Sequence, residues 1–161
     1  MNNEKQCVHI VVLSDTHGYL APQIIGYLKN ADHIIHAGDI GKQDILLELE
    51  SYAPLTAVHG NMDGFSIRKY VDAVEKLVIM DTEITITHVP RNNKNIVANE
   101  NWQISIFGHT HTASVISQDH HLVINPGSAS KPRFSKDPTF ALLTLCANAA
   151  PKAEIIKLPK P

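Results

Sequence analysis

The chain has no surplus of positive charge: 14 Lys and Arg stand against 16 Asp and Glu, leaving a net charge of −2. A tight nucleic-acid partner is therefore disfavoured, because binding through the phosphate backbone rests on a dense basic surface. No apolar run approaches the roughly 18 residues of a membrane-spanning helix, and the opening run 8–13 is too short for a secretion signal. The expected location is cytoplasmic, with no membrane partner. Only two cysteines occur, Cys7 and Cys146, without metal-type spacing, and they are expected as free, buried thiols. Repeats, low-complexity tracts and linkers are also missing, so the 161 residues are expected to form one domain, 1–161. With 43% apolar and 19% charged residues, the composition is that of a soluble globular protein.

Histidine is the one abundant oddity, with ten copies. The run 8–13 reads as a buried parallel strand closed by Ser14-Asp15 and Gly18. Pro22 suits the first turn of a helix over 22–29, and a second strand over 32–37 leads through Gly38-Asp39 into a helix over 43–52. A third strand over 54–58 ends at Gly60-Asn61. Beyond Asp63 the pattern turns to strands: a hairpin of 75–80 and 84–87 around Asp81-Thr82, then 104–107, 115–117, 122–124, 140–145 and 155–158, with a short helix over 92–99. Asn125-Pro126-Gly127-Ser128 is a turn.

The polar residues that follow these strands share one chemistry. Asp15 and His17, Asp39, Asn61, His88, then His109 and His111 fall in chain order, each beside a glycine or at the end of an apolar run. A phosphate ester resists attack because its oxygens repel nucleophiles and neutral water is scarcely ionised. Two divalent cations remove both obstacles, and the pair needs a carboxylate able to serve both ions. Asp39, directly after a glycine, is the expected bridge. Asp15 with His17 and His109 with His111 are i, i+2 pairs whose side chains share a direction in an extended segment. Carboxylate, imidazole and amide without thiolate suit Mn²⁺, Fe, Zn²⁺ or Ni²⁺.

These blocks, D-x-H, G-D, G-N, H and G-H-x-H in that order, resemble the calcineurin-like metallophosphoesterase superfamily. Gly60-Asn61-Met62-Asp63 and the Asn125–Ser128 turn are similar to those of its small YfcE-type phosphodiesterases. The resemblance covers about 8–133 and implies an α/β (α+β) fold, a four-layer αββα sandwich with two mixed β-sheets and the metals at the edge between them. It implies one ion held by Asp15, His17, Asp39 and His111 and a second by Asp39, Asn61, His88 and His109. Asp39, Asn61 and His88 are then catalytic, and Asn61 and His109 bind substrate. The expected cofactors are two divalent ions, Mn²⁺ first, with Ni²⁺, Zn²⁺, Fe and Mg²⁺ as alternatives. Many superfamily members have histidine where this chain has Met62, so leaving-group protonation is absent there. A small phosphodiester first, or else a phosphate monoester with a good leaving group, cleaved by a water or hydroxide bridging the ions, is the expected substrate. Relatives commonly pair, which implies a homodimer or homotetramer.

Asp63 suits either a supporting role or an Asx turn. His36 and His59 are expected as hydrogen-bonded strand histidines. Trp102 is equally suited to packing and to stacking, and Lys131 and Arg133 to screening an anion or to solvated surface. The rival function is a protein-binding scaffold on the same fold, like the retromer's metallophosphoesterase-like subunit. Filled ligand positions speak against it.

Overall fold

The computed structural model describes residues 6–90, 101–130 and 137–159. β1 (Cys7–Leu13), β2 (His33–His36) and β3 (Leu55–Ala57) run parallel. A 3-10 turn (Pro22–Ile24) leading into α1 (Ile25–Lys29) joins the first two, and α2 (Gln43–Glu50) joins the second and third. The single-turn α3 (Phe65–Arg68) follows, then β4 (Val74–Ile79) and β5 (Thr82–Thr87). The hairpin turns at Met80 and Asp81, both with positive φ, one residue before the expected position. β6 (Gln103–Ile106), β7 (Ser114–Gln118), β8 (His121–Asn125), β9 (Thr139–Cys146) and β10 (Lys152–Lys157) complete the described elements.

Two mixed sheets result, ordered β10-β9-β1-β2-β3 and β4-β5-β6-β8-β7. Alternation along β1 explains how they stack. Ile10 and Val12 join a cluster with Ile84, Ile86, Ile104 and Ile106 of the second sheet, whereas Val11 and Leu13 face Ile24, Leu28, Ile45 and Leu49 of the helices. Both faces of β1 are covered over 10–13, so that stretch is apolar throughout, whereas His9 before it is exposed. This is the expected α/β sandwich of two mixed sheets. The buried residues of α1, α2 and α3 all join the first sheet's outer cluster. The helix expected over 92–99 lies outside the described residues. Among the described residues no helix is long and apolar enough to cross a membrane.

The expectation of free, buried thiols is corrected: Cys7 and Cys146 form a disulfide and are partly exposed. β1 and β9 are antiparallel neighbours in which these two residues are register partners, with Cα atoms 4.0 Å apart. A sequence separation of 139 hides that adjacency from the linear chain.

Candidate metal centre

Three parallel strands of each sheet, β1, β2, β3 and β5, β6, β8, run into the loops that carry the polar motifs. Ligands collect beyond the carboxyl ends of such strands. The loops are stitched together by backbone. Asp15 N–H donates to the Gly38 carbonyl at 2.9 Å, His17 N–H to Asp39 at 3.0 Å, and Gly108 N–H to His88 at 3.0 Å. Glycine is needed where the loops meet, since a Cβ on Gly60 meets the Asp39 carboxylate and one on Gly108 meets Ser14 Oγ and the Asp15 carboxylate.

Five of the seven expected ligands hold left-handed backbone: Asp15 at φ 53°, His17 at 47°, Asp39 at 53°, His109 at 68° and His111 at 59°. Non-glycine residues pay for this conformation, and its concentration at one place marks a site whose surroundings enforce it. It also corrects the extended-segment reading of the two i, i+2 pairs. His17 is turned back on Asp15 by left-handed residues, and His109 and His111 diverge to different partners.

All seven expected residues are linked by close contacts. Around Asp15 Oδ1 lie His111 Nε2 at 3.1 Å and the Nε2 atoms of His17 and His88, each at 3.9 Å. His88 Nε2 is 3.2 Å from Asp39 Oδ2. His109 Nδ1 meets Asn61 Oδ1 at 3.1 Å, and the His109 ring packs edge-on against His88. Two groups, Asp15-His17-His111 and Asp15-Asp39-His88, have ligand atoms within 4.8 Å of one another. Asp15 is the member common to both, whereas the sequence pointed to Asp39.

Asp15 Oδ1 and His88 Nε2 are buried yet make no hydrogen bond. Unsatisfied buried polar atoms are costly in a folded protein. Here they face one another's neighbours across distances that a cation would close, so the donor set fits divalent metal. Their other atoms are taken. Ser14 Oγ donates to Asp15 Oδ2 at 2.6 Å, as does His109 N–H at 3.1 Å. Met62 N–H donates to Asp39 Oδ1 at 2.9 Å, and His88 Nδ1–H to the Ala37 carbonyl at 2.7 Å. That last bond leaves Nε2 with the lone pair, the tautomer a ligating imidazole requires.

Burial alone would raise the Asp39 pKa, but His88 and the Met62 N–H outweigh it and the carboxyl is held below its usual range. Burial works equally against protonating His88, yet the Asp39 carboxylate and the Ala37 carbonyl win and its pKa is raised. Each group thus favours the other's charged form.

Asp63 takes the supporting role that the sequence left open beside an Asx turn. Asp63 accepts from Ile40 N–H and Gly60 N–H through Oδ2 and from Gly41 N–H through Oδ1, tying the Asp39 and Asn61 loops. Asn125 Nδ2 donates to the Gly108 carbonyl and to Thr110 Oγ1, Ser128 Oγ to the Asp15 carbonyl, and Ser130 Oγ to that of Thr16. Polar residues in a turn after the last motif were the only signal for them. His36 is hydrogen-bonded as expected, accepting from Gly38 N–H and pairing with Thr16 Oγ1. For His59 the expectation fails: its Nδ1 is buried without a partner. Trp102 packs against the intersheet cluster and edge-on to His120. Lys131 and Arg133 lie outside the described residues.

Comparison with known proteins shows the family to which the chain belongs. A probable metallophosphoesterase of Methanocaldococcus jannaschii is 34% identical over 137 residues, covering 77% of this chain and 69% of the relative. A second protein of that organism, named a phosphodiesterase, is 29% identical over 137 residues, covering 73% of this chain and 82% of its own. The structure of an archaeal phosphodiesterase superposes with a TM-score of 0.72 at 25% identity, covering 93% of this chain and 99% of that one. Vacuolar protein sorting 29 from Cryptosporidium parvum superposes with a TM-score of 0.72 at 16% identity, covering 97% and 100%, a likeness of fold alone. The family model described as the calcineurin-like phosphoesterase superfamily domain matches residues 8–148, and the chain belongs to that superfamily.

Proposed function

We propose that the protein is a metal-dependent phosphodiesterase, a single domain that hydrolyses a small phosphodiester at a centre of two divalent ions, Mn²⁺ first among them. The observation that carries this reading is the pair of buried, unbonded ligand atoms, Asp15 Oδ1 and His88 Nε2, set among convergent imidazoles. When bound, such a cation pair neutralises phosphoryl oxygens and makes water a competent nucleophile at neutral pH. Asp15, His17, Asp39 and His111 would hold one ion, and Asp39, Asn61, His88 and His109 the other. The chain's own contribution is orientation: Ala37 and Met62 aim His88 and Asp39, and Asn61 and His109, paired through Nδ1, face substrate.

Met62 supports the diester preference. Its side chain is 69% exposed and offers no proton to a leaving alkoxide. Two of the relatives carry the name phosphodiesterase. Replacing Asp39 with Asn is expected to abolish hydrolysis while circular dichroism stays unchanged. Retained hydrolysis in Asp39→Asn, with loss in Asp15→Asn, would move the bridge to Asp15.

A further inference from the structure

A second pocket opens beside the metal centre. Its volume is 210 Å³, and its lining includes Asn61 and His88 of the centre together with His59, Arg68 and Thr87. That is below the roughly 300–1,000 Å³ of sites that enclose a whole small-molecule ligand. A substituent of a substrate fits it better than the substrate itself.

Its charge is one-sided. Among the described residues no Asp or Glu lines it, and Arg68 is the one Lys or Arg that does. Arg68 donates from Nε to the Asp63 carbonyl at 2.6 Å and from Nη2 to the Gly60 carbonyl at 3.1 Å. These neutral acceptors fix the guanidinium without cancelling its charge, and Arg68 makes no ion pair among the described residues. Only two of the five N–H groups of a guanidinium are thereby engaged. The remaining polar side chains of the lining, His59, Asn61, Thr87 and His88, carry no negative charge. An immobilised cation with spare donors at the wall of a small pocket is a receptor for a small anion.

We propose that Arg68 forms a subsite for a second anionic group, a carboxylate or phosphate, carried by the alcohol of the diester. The inference rests on the phosphodiesterase reading and assigns its substrate class: a diester bearing a further negative charge, not a neutral dialkyl or diaryl ester. The two carbonyl bonds make Arg68 a fastener of the Asn61 loop as well, so the test must separate recognition from loop support.

Two substrates with the same leaving group do so: carboxymethyl 4-nitrophenyl phosphate and ethyl 4-nitrophenyl phosphate, assayed with Mn²⁺-loaded protein. The wild type is expected to favour the carboxymethyl ester by about tenfold in kcat/KM, mostly through KM, as charge-assisted hydrogen bonds allow. Arg68→Gln keeps an amide donor for the loop carbonyls and removes the charge, and it should bring that ratio to about one. A purely structural Arg68 would lower both activities and leave the ratio intact, which overturns the proposal, as does a wild type without preference. Calorimetric binding of phosphoglycolate against ethyl phosphate supplies a readout that needs no turnover. An Arg68-dependent preference for phosphoglycolate in a protein that cleaves neither ester keeps the subsite and discards the esterase reading. Equal binding to wild type and Arg68→Gln discards the subsite.

Discussion

Asp63 is the keystone whose removal the structure prices most directly. The side chain is 3% exposed, and its two oxygens accept three backbone N–H bonds, from Gly60 at 2.8 Å, Gly41 at 2.9 Å and Ile40 at 3.1 Å. Asp63→Asn is nearly isosteric. It leaves one oxygen, now uncharged, for Gly60 and Ile40, and turns an amide NH₂ toward the Gly41 N–H, a donor facing a donor. Weakening two charge-assisted bonds costs about 1 kcal/mol each, and the stranded donor about 1–2 kcal/mol more. The total is about 3–4 kcal/mol, which at this chain length lowers Tm by about 10 °C. Because the bonded amides belong to the loops bearing Asp39 and Asn61, metal affinity should also fall, by about 10- to 100-fold. Thermal denaturation and a metal titration of the same variant check both. A Tm within about 2 °C of wild type, or unaltered metal affinity, would refute the view that Asp63 organises the centre.

Met62→His should speed turnover of poor leaving groups on the order of a hundredfold, the scale of general acid catalysis, since the exposed side chain projects from a backbone whose N–H touches Asp39. An unchanged dependence of rate on leaving-group pKa would show that the missing proton is not missing there. His36 provides a pH signature. Burial lowers its pKa from 6.5 to about 3, so the unfolded chain takes up the proton first as pH falls. The stability tied to neutral His36 is complete above 6.5 and drains away between 6.5 and about 3, at about 1.4 kcal/mol per pH unit. Urea denaturation at pH 7 and 5 should show a loss of about 2 kcal/mol in the wild type and a smaller one in His36→Asn. Equal losses would contradict it.

Much of this was legible because the chemistry is written in short segments. Strand runs rich in Val and Ile end at glycines, and those glycines are there because Gly60 and Gly108 pack against the carboxylates of Asp39 and Asp15. The expected ligand set therefore carried its own spacing rules, and close contacts link its seven residues. What stayed hidden depends on tertiary adjacency. Cys7 and Cys146 become partners only once β9 pairs with β1. The left-handed backbone at His17, His109 and His111 is uncommon for any residue but glycine, even though histidine adopts it more often than most, and the extended reading of the i, i+2 pairs missed it. α3 is a single turn, too short for a helical period to register. The unpaired His59 nitrogen is a property of what surrounds it in space, and nothing in the residues next to it distinguishes it from the satisfied His36.

The most direct test of the central claim is to strip the purified protein of metal and restore Mn²⁺, Ni²⁺, Zn²⁺ or Mg²⁺ in turn. Bound metal is counted while an aryl phosphodiester and the matching monoester are offered as substrates. Turnover of the diester that returns only as about two ions bind per chain, with Mn²⁺ the most effective, is the predicted result. Metal that binds without cleavage of either ester would contradict the phosphodiesterase account and leave a metal-bearing scaffold in its place.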